Sequence, residues 1–172
     1  MVRRCLDEWG SAGVKMNGAQ NGYYIDDPEI GMPVAEAIAK GGAMIAFHIG
    51  PDAHERTHPH RAERIASRFP ETTVLMVHIG MTNWDMHRAV LEAAERCPNM
   101  VLVAGATSDN AALAAIRRLG AGRVCFGSDR PFRKPSVVKA MFETSFRDEL
   151  SEEEMSAFMG GNMIRLLQRA PG

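Results

Sequence analysis

Cysteine is scarce in this chain: Cys5, Cys97 and Cys125 stand far apart among 172 residues. No Cys-x-x-Cys pair occurs, which excludes zinc knuckles and dithiol redox motifs. The three are read as free thiols of a reducing cytoplasm. Long apolar runs are also lacking. The longest fall well short of the roughly 20 residues a membrane-spanning helix needs, and the opening MVRRCLDEWG has no apolar signal-peptide core. Neither sign of charge is in excess, with 20 Lys and Arg against 21 Asp and Glu and a net charge of −1. The basic residues are scattered among acids without interleaved aromatics, so nucleic acid and anionic membrane are not expected partners. Repeats, low-complexity segments and interdomain linkers are missing, and the length suits one domain over 1–172. Methionine is the one abundance, at 12 residues, and is read as adaptable core filler.

What is present is an alternation. Short apolar runs occur at GVKM (13–16), AMIAFHIG (43–50), TVLMVHIG (73–80), MVLVAG (100–105) and RVCFGSD (123–129). Their length and their bounding Gly, Pro and Asn residues fit strands buried on both faces. Amphipathic stretches lie between them, at 28–40, 60–69, 83–97 and 109–119, followed by helices at about 136–147 and from 151 onward. Asn83, Ser108 and the capping-box sequence SEEE (151–154) mark helix starts, and Gly41, Pro70, Pro98 and Gly120 mark stops. Strand followed by helix, repeated, predicts βα units and a parallel sheet. A closed (β/α)8 barrel needs eight strands and typically about 250 residues. Five runs therefore predict either part of a TIM barrel or an open doubly wound α/β sheet.

Three runs end in an ionisable residue: His48, His78 and Asp129. In parallel α/β folds the carboxyl ends of the strands form the ligand face. Imidazole and carboxylate bind divalent metals and move protons near neutral pH. A single histidine on an apolar strand is more often a hydrogen-bonded core residue, and Gly-Ser-Asp alone is a common turn. The tripeptide HIG at two successive strand ends, with Asp at a third, points instead to a metal or acid–base site.

The order HIG, a second HIG after an RFP-containing helix, LGAGRVCFGSDRPF and a closing GGNMIRLL resembles the amidohydrolase-related superfamily. More narrowly it resembles the metal-dependent TIM-barrel branch of aminocarboxymuconate-semialdehyde decarboxylase and several lactonases. The resemblance runs from about Trp9 to Leu167 and implies the last five βα units of a barrel. It implies His48 and Asp129 as ligands of a divalent metal, zinc foremost and manganese second. His78 would activate water or substrate, and Asp129 would exchange a proton with bound water. The implied activity is hydrolysis of a small cyclic ester or amide by metal-activated water. Decarboxylation of an aromatic or muconate-like acid is the alternative, and a non-catalytic scaffold the third reading.

Several features depart from the family pattern. Its first-strand His-x-His pair, which would supply two more ligands, is not in this sequence. MVRRCLDEWGSAGVKM reads as the third helix and fourth strand. His58-Pro59-His60 is not a substitute, because it lies in a polar loop with no strand to aim it; His54 and His87 are expected to be solvated. Lys15 is expected to pair with a carboxylate. Arg130 follows Asp129 where the family often has an aromatic residue; it would hold a substrate carboxylate or pair with a surface acid. Trp84 would line the substrate pocket or pack in the core. Five strands leave two open edges, which invite association with a second copy or with a separate N-terminal segment.

Overall fold

The computed structural model describes residues 1–169. Helical turns at Arg4–Glu8 lead into β1 (Gly13–Met16), α1 (Gly18–Asn21) and α2 (Gly31–Lys40). Then come β2 (Met44–His48), α3 (His54–Thr57), α4 (Pro59–Arg68), β3 (Val74–Val77), α5 (Trp84–Arg96), β4 (Met100–Val103) and α6 (Asp109–Leu119). β5 (Val124–Cys125), α7 (Pro135–Phe146), α8 (Glu152–Ser156) and α9 (Asn162–Arg169) complete the described residues. Helix starts fall where the cap residues predict. Asn83 accepts from Met86 N, Ser108 accepts from Ala111 N, and Ser151 with Glu154 forms the reciprocal capping box.

The five strands are parallel and lie in the order β1-β2-β3-β4-β5. An open doubly wound sheet reverses direction at a switch point. Here the order never reverses, so each helix returns the chain to the next position on the same side. That is the winding of a barrel wall, and it settles the fold as part of a (β/α)8 barrel rather than the open alternative.

The strands alternate between two faces. Ile45, Phe47, Val74, Met76, Met100, Leu102 and Val124 join the main core, into which α2, α4, α5, α6 and α7 also pack. Met44, Leu75, Val101 and Cys125 face the other way and meet Leu166 and Met163 of α9. Burial there pushes the Cys125 thiol up to about 11. All three cysteines are unpaired.

Two expectations change. The run 123–129 is strand only over Val124–Cys125, because the chain leaves the sheet at Phe126, whose N–H bonds to Phe158 O at 2.8 Å. Residues 54–60 are not a loop. They form α3 and the first turn of α4, with His58 capping α4 by accepting from His60 N at 3.3 Å. No described helix is long and apolar enough to cross a membrane.

Candidate active site

Register fixes which side chains share the rim. Lys15 pairs with Ala46, and Ala46 with Leu75, so Lys15 and His48 project from the face opposite the main core, at the carboxyl ends of β1 and β2. His78 follows the last residue of β3. His78, Ile79, Gly80 and Met81 all have positive φ, at 83°, 51°, 84° and 55°. Such backbone costs about 1–3 kcal/mol per non-glycine residue and persists only where surroundings over-determine it. Thr107 Oγ1 donates to His78 O at 2.5 Å, and Met81 N donates to the same carbonyl at 2.8 Å. Glycine at position 80 is required, since a Cβ there would lie 2.6 Å from His87 N. At Gly50, the glycine of the first HIG, a Cβ would lie 2.7 Å from Asp52 Oδ1 and 3.0 Å from His48 Nε2, so a larger residue there would displace these side-chain ends.

The His78 ring donates from Nδ1 to Gly105 O at 2.9 Å. A carbonyl can only accept, so the proton sits on Nδ1 and Nε2 carries a lone pair. Burial pushes this imidazole below its ordinary range. The Gly105 bond and Asp129 oppose that shift, and His48 and Lys15 add to it. His78 is therefore a neutral acceptor at pH 7. Its Nε2 stands 4.0 Å from Asp129 Oδ1, and its ring meets that of His48 edge to face, with centroids 4.8 Å apart. Asp129 lies in the loop beyond β5, with φ 60°.

These side chains line one cleft of about 890 Å³. Its walls include residues the sequence pattern did not single out: Asp52, Asn17, Gln20, Phe132 and Arg133. Lys15 reaches the cleft as well. Arg130 does not line it. That side chain is exposed, and Arg133, three residues on, takes the position beside the site. Trp84 also lies elsewhere: it is 71% exposed and lines a separate pocket. His87 is not solvated as expected. It is 5% exposed, and its Nδ1 donates to Ile79 O at 3.2 Å. His54 is exposed.

The donor types suit a divalent metal, but the set is incomplete. His48 Nε2 bonds Asp52 Oδ1 at 2.8 Å. The carboxylate accepts, so that nitrogen holds a proton and is not free as a ligand in this arrangement. Among the described residues, no three His, Cys, Asp or Glu side chains are grouped to hold an ion.

A singly wound parallel wall with imidazole and carboxylate at its carboxyl rim is part of a (β/α)8 barrel. The chain belongs to the amidohydrolase family, whose model, described as Amidohydrolase, matches residues 2–169. Among solved structures, a TIM-barrel protein from Bordetella bronchiseptica is 22% identical, with a TM-score of 0.79, over 97% of this chain and 60% of its own. A dihydroxybenzoic acid decarboxylase from Polaromonas, with bound manganese and 2-nitroresorcinol, is 18% identical, with a TM-score of 0.71, over 99% of this chain and 65% of its own. An amidohydrolase from Burkholderia multivorans with bound zinc is 16% identical, with a TM-score of 0.75, over 99% and 72%. At these identities the likeness is one of fold. The chain spans 60% of the length of the Bordetella protein. No curated protein matches it.

Proposed function

We propose that this rim is the proton-transfer part of a metal-dependent hydrolase site, acting on a small, acidic cyclic ester or amide. One observation carries the reading. The neutral His78, its lone pair on Nε2, faces the Asp129 carboxylate across 4.0 Å. Two acceptors at that separation leave room for one donor between them. A water or hydroxyl held about 2.8 Å from each fits the gap. His78 would take the proton and Asp129 would orient the group that gives it up. Lys15 and Arg133 give the cleft two cations, which suit a substrate carboxylate. A ring carboxylate held by the same pair would suit decarboxylation of an aromatic or muconate-like acid, the second reading.

A divalent ion, when bound, would lower the pKa of a water and polarise a carbonyl. Zinc and manganese in the Burkholderia and Polaromonas proteins support this class of ion. His48 and Asp129 would supply part of its donor set once His48 releases Asp52. The rest would come from polypeptide outside these 172 residues, in the same chain or a second one. Calorimetric titration with Zn²⁺ and with Mn²⁺, beside His48→Ala and Asp129→Ala, tests the ligand assignment. Binding weakened about 10-fold or more by each substitution is expected. No binding, or binding that neither substitution alters, would overturn it.

A further inference from the structure

Beside the rim cleft lies a second, smaller cavity of about 220 Å³, walled by Met81, Trp84, His87 and Ala111, with Asn83 and Ser108 at its edge. The lining is mostly apolar. The Asn83 and Ser108 acceptors are already engaged, capping Met86 N at 2.9 Å and Ala111 N at 3.2 Å. His87 differs. Its Nδ1–H is held by the Ile79 carbonyl at 3.2 Å, so Nε2 bears the lone pair. Nε2 has no hydrogen-bond partner among the described residues, and it is not among the fully enclosed unpartnered atoms. The residue as a whole is 5% exposed. His87 walls this cavity, and we take the open side of that nitrogen to face it. Burial also pushes this imidazole below its ordinary range, so it stays neutral at pH 7.

A lone acceptor on an apolar wall selects its occupant. An anion would meet the lone pair, and a hydrocarbon would leave it unpaired at a cost. A neutral ring bearing one hydroxyl or N–H would fill the apolar space and satisfy Nε2. The edge-to-face packing of His87 on Trp84, with centroids 5.8 Å apart, gives the cavity aromatic walls. Met81 lines both this cavity and the rim cleft, and the Ile79 carbonyl that orients His87 belongs to the residue after His78. We infer that this cavity is a binding compartment for a small aromatic ring carrying one hydrogen-bond donor, recognised through His87 Nε2. This inference is independent of the metal and of the hydrolase reading.

Phenol and fluorobenzene, close in size and differing in the donor, are suitable probes. Each is titrated into the protein while long-range ¹H–¹⁵N spectra follow the imidazole nitrogens. Phenol should bind about 5- to 10-fold more tightly than fluorobenzene, the worth of one neutral hydrogen bond. Only phenol should shift the His87 Nε2 resonance. In His87→Phe, which keeps a ring and removes the acceptor, the preference should vanish while fluorobenzene binding remains. Equal affinities in the unsubstituted protein, no binding of either probe at millimolar concentration, or a His87 proton found on Nε2 would each overturn the assignment. The spectra and titrations of the unsubstituted protein decide this even if the variant fails to fold.

Discussion

His78 Nε2 and Asp129 Oδ1 face each other across 4.0 Å, although one follows β3 directly and the other sits four residues past the end of β5. The Gly105 carbonyl, in the loop between them, accepts a hydrogen bond from His78 Nδ1–H and so leaves Nε2 as the acceptor. Replacing His78 with Gln should cost about 100-fold or more in turnover of a carboxylated lactone by the metal-loaded enzyme, the usual worth of a positioned base. The pH–rate profile should lose its acid limb with it, since that limb belongs to an imidazole pushed below its ordinary range by burial. An unchanged acid limb would assign the base elsewhere.

Arg133 and Arg130 separate by measurement. Benzoate serves as a carboxylate probe, bound to the protein without metal. Arg133→Met should weaken it about 3- to 5-fold, the modest worth of an exposed charge. Arg130→Met should leave it unchanged. The reverse order would return the carboxylate to Arg130.

Stability should fall below neutral pH for a specific reason. Burial depresses His78, His87 and, more weakly packed, His58 in the folded protein. The unfolded chain takes up these protons near the ordinary value of about 6.5. Between that pH and the depressed folded values the unfolded state binds more protons, so stability is full above about 6.5 and is lost as pH falls below it. Urea midpoints at pH 7.5 and 5.5 should show the drop, and His87→Phe should make it smaller.

Two glycines in the left-handed region should respond differently to alanine. At Gly80, φ is 84° and a Cβ would meet His87 N at 2.6 Å, so Gly80→Ala should cost about 2–4 kcal/mol of stability. At Gly22, φ is 77° but nothing lies within 4 Å, so Gly22→Ala should cost only about 1 kcal/mol. Denaturant unfolding of both variants measures the difference.

Asn162, the asparagine of the GGN sequence, is fully buried. Its Nδ2 donates to Ala121 O at 2.7 Å and Val124 O at 2.8 Å, tying the start of α9 to the start of β5. Asn162→Ala should cost about 2–4 kcal/mol by leaving two carbonyls unpaired. A cost under 1 kcal/mol would show that water replaces the amide.

The sequence by itself determined the parallel strands, their order of appearance and the helix starts. Those are local properties. Apolar runs of strand length cannot stay in water, and Asn83, Ser108 and Ser151 satisfy their own helices' free N–H groups within three residues. It also carries a signal that His87 is buried rather than solvated. His87, Val90, Leu91 and Ala94 recur at helical spacing on a buried face. What only the tertiary structure decided is non-local. An unreversed strand order made the sheet a barrel wall. Phe158 pulled Phe126 out of the sheet, so Asp129 reaches the rim from a loop. The turn after Asp129 carried Arg133, not Arg130, to the cleft. Each depends on contacts between residues far apart in the chain, and spacing along a sequence does not encode which of them meet.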